Sequence, residues 1–431
     1  MTKPLRLGLL GYGTVGKALV RLVREMSPAL AREHGLSVRF VAVASRDLPR
    51  RGVEGLPPGA RVTDDLLAVA TAPDVDVVVE LIGGLDPAGT LVSAALSAGR
   101  SVVTANKLLL AARGAELAAL AREKGAGLAF EAAVAGGIPI LRAVRESFAG
   151  DRIDAVAGIL NGTCNYILTE MERTARAYGD VVAEAQALGY AEADPAADVE
   201  GRDAASKLAL LARLAFGQDV PLEAVRTEGI TRVKPVDFVY ARMLGRTPRQ
   251  VGTAHRLPGD RLLLSVRTHL VSNGSMLARV EGPFNAVQVS TARGGDFVFS
   301  GRGAGGDPTA TAVLADVVEL ARSGPRPDVP PFGVPALAPF APAGPADFVA
   351  PFCLRFVVAD RPGILAEIAA VLARHGINVD AVFQAPWDNK AELPFVVTLE
   401  PVDEERLGRA LAALEALPFH AEAPLALPMT P

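Results

Sequence analysis

Cysteine is almost absent from this chain: its 431 residues hold two, Cys164 and Cys353. Two thiols build neither a disulfide framework nor a thiolate zinc site. Aromatics make up 5% with a single Trp, so the core must be filled from Ala, Leu and Val. Five scattered histidines (His34, His255, His269, His375 and His420) show no metal-ligand spacing. No run approaches the ~20 apolar residues that span a bilayer. The first apolar run, Leu5–Leu10, is too short and poorly flanked for a signal peptide, so a cytoplasmic protein without membrane partners is expected. The net charge of −4 offers no basic field for nucleic acid or an anionic membrane. Lysine is scarce as well, at seven of 44 basic residues. Arg cannot give up its proton and Lys can, so each retained lysine is a candidate for proton chemistry.

What is present is a change of rhythm along the chain. Through residue 130, short apolar strands (Leu5–Leu10, Ser37–Ala44, Val75–Ile82, Ser101–Thr104, Gly127–Phe130) alternate with helical stretches (Thr14–Glu33, Pro87–Ala98, Gly114–Lys124). That alternation predicts an α/β fold with a Rossmann-like, doubly wound parallel sheet over residues 1–140. An α+β domain is expected over 141–307, with helices Leu141–Ser147, Tyr166–Leu188 and Arg202–Phe216 and β-type runs near Leu262–Leu270, Leu277–Val280 and Phe284–Ser290. The helix 308–323 completes the first domain. Residues 324–351 hold nine prolines in 28 positions, read as a semi-extended linker. Beyond it, 352–431 repeats strand, helix, strand in a ferredoxin-like split β-α-β pattern.

Gly11-Tyr-Gly13-Thr14-Val15-Gly16 follows the first strand and opens the first helix. The first glycine makes the tight turn, the second admits a pyrophosphate, and the third lets helix and strand close up. The second strand ends in Ser45, Arg46 and Asp47. An acid at that tip would bind the ribose of NAD, whereas Ser45 and Arg46 suit the 2′-phosphate of NADP. The expectation leans to NADP, with NAD also open.

Between Gly189 and Lys207 stand five carboxylates: Glu192, Asp194, Asp198, Glu200 and Asp203. Asp203 and Lys207 are four apart on a predicted helix and share a face. Such spacing by itself more often marks an exposed ion pair than a lysine poised to protonate the alkoxide that forms when hydride reaches an aldehyde. Longer motifs add to this reading. Gly158–Leu168 with Gly189–Lys207, Thr104-Ala-Asn106-Lys107, Glu131–Ile138 and Ser300–Gly305 together resemble homoserine dehydrogenase, from the nucleotide loop to about residue 322. The tail, with Asp360-Arg361-Pro362-Gly363 and Gly376-Ile-Asn378, is similar to an ACT regulatory domain.

The resemblance implies that Lys207 gives its proton to the C4 oxygen and that Asp203 binds and orients the substrate. Glu192 would bind homoserine, and Lys107 would sit between nicotinamide and substrate. Gly11, Gly13, Thr14, Val15, Gly16, Thr104, Gly189 and Gly303 would touch the cofactor. Main-chain carbonyls of Glu131, Val134, Gly136 and Ile138 would hold sodium, a hard cation that takes oxygen ligands. L-Homoserine, L-aspartate 4-semialdehyde, L-threonine as effector and a homodimer or homotetramer are the partners it implies. Departures from the family are Cys164 where Thr is usual, Leu after His269 in place of Pro, and Arg246–Gln250 in place of an Ile-Lys-Leu strand.

Two other readings stand beside this one. Aldehyde dehydrogenases with a cysteine nucleophile share the two-domain plan, with Cys164 as the candidate and no histidine nearby in sequence to serve as base. A dehydrogenase reduced to an amino-acid sensor would keep the tail without the chemistry.

Overall fold

Residues 4–46, 55–324 and 330–430 are described by a computed structural model. The chain divides into two compact units, one of residues 1–156, 203–225 and 285–340, the other of 157–202, 226–284 and 341–431.

The first unit is built on a parallel six-stranded sheet: β1 (Leu5–Leu10), β2 (Val38–Ala44), β3 (Arg61–Thr63), β4 (Val77–Glu80), β5 (Ser101–Thr104) and β6 (Leu128–Ala129). Their spatial order is β3-β2-β1-β4-β5-β6. The order reverses between β1 and β4, which is where a doubly wound sheet leaves its ligand crevice. Strands such as Val77–Glu80 are buried at every position, as a sheet covered on both faces requires. The helix Gly306–Ser323 joins the core that holds Leu19 of the helix Thr14–His34, contributing Ala310, Val313 and Val317. Burial of that apolar stripe is why a segment so distant in sequence completes the nucleotide fold. The helix predicted from Gly114 begins instead at Lys107 and runs to Glu123, because Asn106 caps it by accepting from the Leu109 N–H.

The expected helix Tyr166–Leu188 is two, Gly162–Thr174 and Tyr178–Ala187, interrupted where Ala175 turns left-handed at φ 55°. After β7 (Ile153–Ile159), the second unit holds β8 (Arg226–Thr227), β9 (Arg246–Leu257) and β10 (Arg261–Ser272). The stretch Arg246–Gln250, whose polar residues obscured a strand, is the start of β9, paired residue for residue with β10. Arg249 is nevertheless buried there, its guanidinium bonded to Glu172, Thr247 and the carbonyl of Pro248. Leu277–Val280 is not a strand: Leu277–Arg279 forms a 3₁₀ turn. Two strands missing or shortened in the sequence reading, β11 (Phe284–Thr291) and β12 (Gly295–Arg302), run side by side in the first unit.

Residues 349–430 follow the β-α-β-β-α-β order with β13 (Val349–Val358), β14 (Val379–Phe383), β15 (Leu393–Asp403) and β16 (His420–Thr430). The proline-rich segment does not isolate them. Its last part lies along β10, with Leu262 exchanging hydrogen bonds with Ala341 and Ala343, and Arg261 paired to Asp347 at 2.7 and 2.9 Å. β16 then pairs parallel with β10, so within this unit the strand order is β9-β10-β16-β13-β15-β14. Tyr240, Leu270, Cys353, Leu425 and Met429 share one core.

Candidate active site

The glycines of the nucleotide loop have separable tasks. Gly11 has φ 100°, and a Cβ there would lie 2.7 Å from the Leu81 carbonyl oxygen. A Cβ on Gly16 would lie 2.4 Å from the Gly11 carbonyl oxygen, while one on Gly13 would meet nothing within 4 Å. So Gly11 and Gly16 let strand and helix close, and Gly13 leaves the space a diphosphate needs. Gly13 is also the helix N-cap and brings no side chain to the first N–H groups, which leaves them for an anion. Thr14 and Val15 begin this helix, and Gly306 of the helix Gly306–Ser323 lies against Thr14 and Ala18. Arg46 is exposed at the end of β2, and Asp47 lies outside the described residues.

Lys107, Asp203 and Lys207 come together in the first unit. Asp203 and Lys207 stand one turn apart in the helix Arg202–Phe216, with Nζ of Lys207 donating to Asp203 Oδ2 at 2.7 Å. Nζ of Lys107, 96 positions earlier, lies 3.0 Å from Oδ1 of the same carboxylate. Asp203 and Lys207 keep only 13% and 12% side-chain exposure, which removes them from the class of solvated surface pairs. One carboxylate thus orients two ammonium groups, the donor arrangement that a developing alkoxide requires.

The loop through Glu131, Val134, Gly136 and Ile138 is buried except at Gly137, which is exposed. Ala135 and Gly136 are both left-handed, at φ 55° and 50°. The Glu131 carboxylate accepts from the N–H groups of Leu141 and Arg142, each at 2.8 Å, and burial pushes its pKa up. Gly303 touches this loop: a Cβ on Gly136 would lie 2.4 Å from its carbonyl oxygen, and a Cβ on Gly303 would collide with the Asn285 carboxamide. Among the described residues no cluster of three His, Cys, Asp or Glu side chains could hold a metal ion.

Gly189 and Glu192 belong to the second unit. Gly189 has φ 77° after the helix Tyr178–Ala187, and Glu192 is exposed on the following loop. Gln186 Nε2 donates to the carbonyls of Glu192 and Ala193, which fixes that loop's path. Cys164 is fully buried and its thiol donates to the Asp198 carbonyl at 3.1 Å. A reactive thiolate needs exposure and a positive surrounding, so the cysteine-nucleophile reading fails.

Sequence reasoning missed Glu80 and Asn106. Glu80 ends the apolar run Val77–Glu80 and is wholly buried, accepting from Ile82 N, Gly83 N and Thr104 Oγ1. Asn106 Nδ2 donates to the Gly84 carbonyl at 2.7 Å. The only sequence signal was an acid closing a buried strand.

A glycine loop at a doubly wound sheet, in the same unit as a carboxylate that holds two lysines, defines an NAD(P)-dependent oxidoreductase. Profiles of the homoserine dehydrogenase NAD-binding domain, the homoserine dehydrogenase catalytic region and the ACT domain match residues 11–131, 139–318 and 354–419. The homoserine dehydrogenase of Pseudomonas aeruginosa is 42% identical over 96% of both chains. That of Bacillus subtilis is 39% identical over 92% of this chain and 91% of its own. The crystal structure of a homoserine dehydrogenase from Thiobacillus denitrificans has a TM-score of 0.92 at 39% identity, covering 99% of this chain and 98% of its own. A hyperthermophilic archaeal homoserine dehydrogenase in complex with NADPH has a TM-score of 0.64 at 26% identity, covering 74% of this chain and 98% of its own. The chain belongs to the homoserine dehydrogenase family, and it carries a C-terminal ACT domain.

Proposed function

We propose that the chain interconverts L-homoserine and L-aspartate 4-semialdehyde, with NADP as the preferred cofactor, in the cytoplasm and as a homodimer or homotetramer. The observation that carries this reading is the Lys107–Asp203–Lys207 arrangement, with N···O separations of 3.0 and 2.7 Å. Lys207 gives its proton to the C4 oxygen in the reducing direction and takes it back in the other. Asp203 holds Lys207 and Lys107 and orients the substrate. Lys107 adds positive charge where oxygen becomes anionic. Glu192 binds the substrate's ammonium group. The bound nicotinamide supplies the hydride. Gly11, Gly13, Thr14, Val15 and Gly16 hold the diphosphate, with Thr104, Gly189 and Gly303 as further contacts.

Main-chain carbonyls of Glu131, Val134, Gly136 and Ile138 would hold a sodium ion. The donor set suits a hard cation, and the Glu131 side chain is already committed to N–H groups. Initial rates with L-homoserine and with L-aspartate 4-semialdehyde, each with both cofactors, test the activity. Absence of turnover in both directions would leave only the sensor reading. Arg46→Ala is expected to weaken NADP binding by about tenfold and NAD little, since only NADP carries the added phosphate. Equal losses would remove Arg46 from that role.

The ACT domain has a cavity of about 370 Å³ lined by Asp360, Arg361, Gly363, Gln384 and Phe395 among others. Gly363 caps the helix Ile364–Arg374 at φ 95° with no side chain over its N–H groups, which favours a carboxylate. L-Threonine as feedback effector would bind there. Threonine titration of the full chain is expected to show inhibition that Arg361→Ala weakens. Rates indifferent to millimolar threonine would end the assignment.

A further inference from the structure

We propose that Glu80 is a positioning residue for the reaction: through Thr104 and Asn106 its buried carboxylate fixes where Lys107 meets Asp203. The proposal rests on the role given to Lys107 above. Glu80 ends β4, in register with Leu10 of β1 on one side and Thr104 of β5 on the other. It therefore stands at the point where the strand order reverses, one residue beyond which β1 enters the nucleotide loop.

Its two oxygens hold two different strand exits. Oε1 accepts from Ile82 N at 2.7 Å and Gly83 N at 3.0 Å, fixing the turn where Gly83 and Gly84 have φ 78° and 75°. Oε2 accepts from the Thr104 hydroxyl at 2.6 Å. That hydroxyl in turn accepts from Asn106 N at 3.0 Å. Asn106 closes the ring, its Nδ2 on the Gly84 carbonyl and its Oδ1 accepting from Leu109 N as the cap of the helix that Lys107 opens. The first helical residue then reaches Asp203 at 3.0 Å.

The placement is costly enough to need a reason. A carboxylate without exposure at a position where Val would pack must recover its desolvation through its hydrogen bonds. All three are spent on backbone or on a relay, and none on substrate-accessible surface. The ring ties the exits of β4 and β5 into one rigid support for a lysine whose own stem is flexible.

The test is a double-mutant cycle on the full chain with Glu80→Gln and Lys107→Ala. Glutamine keeps the oxygen facing Ile82 and Gly83 but turns an N–H group toward a Thr104 hydroxyl that already accepts from Asn106. Glu80→Gln is expected to lose about 10- to 100-fold in kcat, the scale of a small misplacement of a reacting group. NADPH affinity, read from the fluorescence of the bound nucleotide, is expected to stay within about threefold, and in the Lys107→Ala background Glu80→Gln should cost less than about twofold. A kcat for Glu80→Gln within about twofold of the parent overturns the proposal, as does a loss carried whole into the Lys107→Ala background or one confined to cofactor affinity. Lys107→Ala with undiminished kcat overturns the reading of Lys107 and the route through it. Lys107→Ala impaired beside an innocuous Glu80→Gln overturns the role of Glu80 alone. If Glu80→Gln does not fold, Thr104→Val cuts the same relay in the same cycle, and Thr104→Ser should restore kcat. A Thr104→Val loss that Thr104→Ser fails to recover counts against the relay.

Discussion

Asp203 decides most of what the site can do. A carboxylate between two ammonium groups neutralises one charge and leaves a net positive field, which the proposed reaction would use to hold the forming alkoxide. Lys207 is the better placed donor of the two, since its stem rises from the same helix one turn beyond the carboxylate and its side chain is the more buried. Lys207→Ala is expected to lower kcat by about 10²–10⁴ with cofactor affinity retained, because general acid–base help is removed while the nucleotide loop is untouched. Steady-state rates beside a nucleotide-binding titration check it. A near-normal kcat would reassign the proton to Lys107. At this scale the sequence was legible where spacing is local: the four-residue interval puts Asp203 and Lys207 on one helix face, while their roles came from resemblance. Lys107 could be tied to them only by resemblance, because 96 positions of chain separate it from Asp203.

Among the elements, β9 and β10 illustrate the tension between pattern and fold. Arg249, Gln250, Arg267, Thr268 and His269 are polar residues buried in two strands that pair along their whole length. Period-two alternation is lost when both faces are covered, and β9 could not be read as a strand. Covering both faces also has an energetic consequence. His269 is fully buried, neither ring nitrogen finds a hydrogen bond among the described residues, and desolvation, aided by Arg267 and His255, lowers its pKa from 6.5 to about 3. Between those values the unfolded chain binds a proton that the folded chain refuses. Stability is therefore full above the unfolded pKa and falls as the pH drops from 6.5 toward 3, by up to about 1.4 kcal/mol per pH unit from this group. His269→Phe should flatten that slope in denaturant titrations between pH 5 and pH 7, about the range in which the free imidazole titrates. An unchanged slope would place the acid sensitivity elsewhere.

For the whole molecule, the ACT domain proves to be an integral part of the second unit. β16 extends the sheet of β10, the Tyr240 hydroxyl donates to the Pro394 carbonyl, and Arg355 pairs with Asp237 at 2.5 Å with both side chains almost wholly buried. Burial drives the Asp237 carboxyl upward in pKa, and Arg355 opposes that shift. Removing one member of such a pair strands the other, so Arg355→Leu should destabilise the protein by about 3–5 kcal/mol, seen as a lower Tm. Truncation at Pro351 removes β13 from Phe352 onward together with β14, β15 and β16, and uncovers Tyr240 and Leu270 along with the β10 edge. The product is expected to aggregate in size-exclusion chromatography and to lose cooperative unfolding. A soluble, cooperatively folding fragment would show the tail to be dispensable.

The sequence by itself determined what depends on neighbours along the chain. The strand–glycine–helix junction at Gly11–Gly16, the Asp203–Lys207 interval and the split β-α-β order of the tail each rest on a few consecutive residues. Turn geometry, helical period and capping act over that range. Tertiary structure alone decided that Lys107 reaches Asp203, that Glu80 and Thr104 join two strand exits and that β16 lies on β10. Those outcomes follow from which apolar surfaces bury one another and which polar groups are thereby left to pair in the interior, and spacing along one chain does not encode that choice.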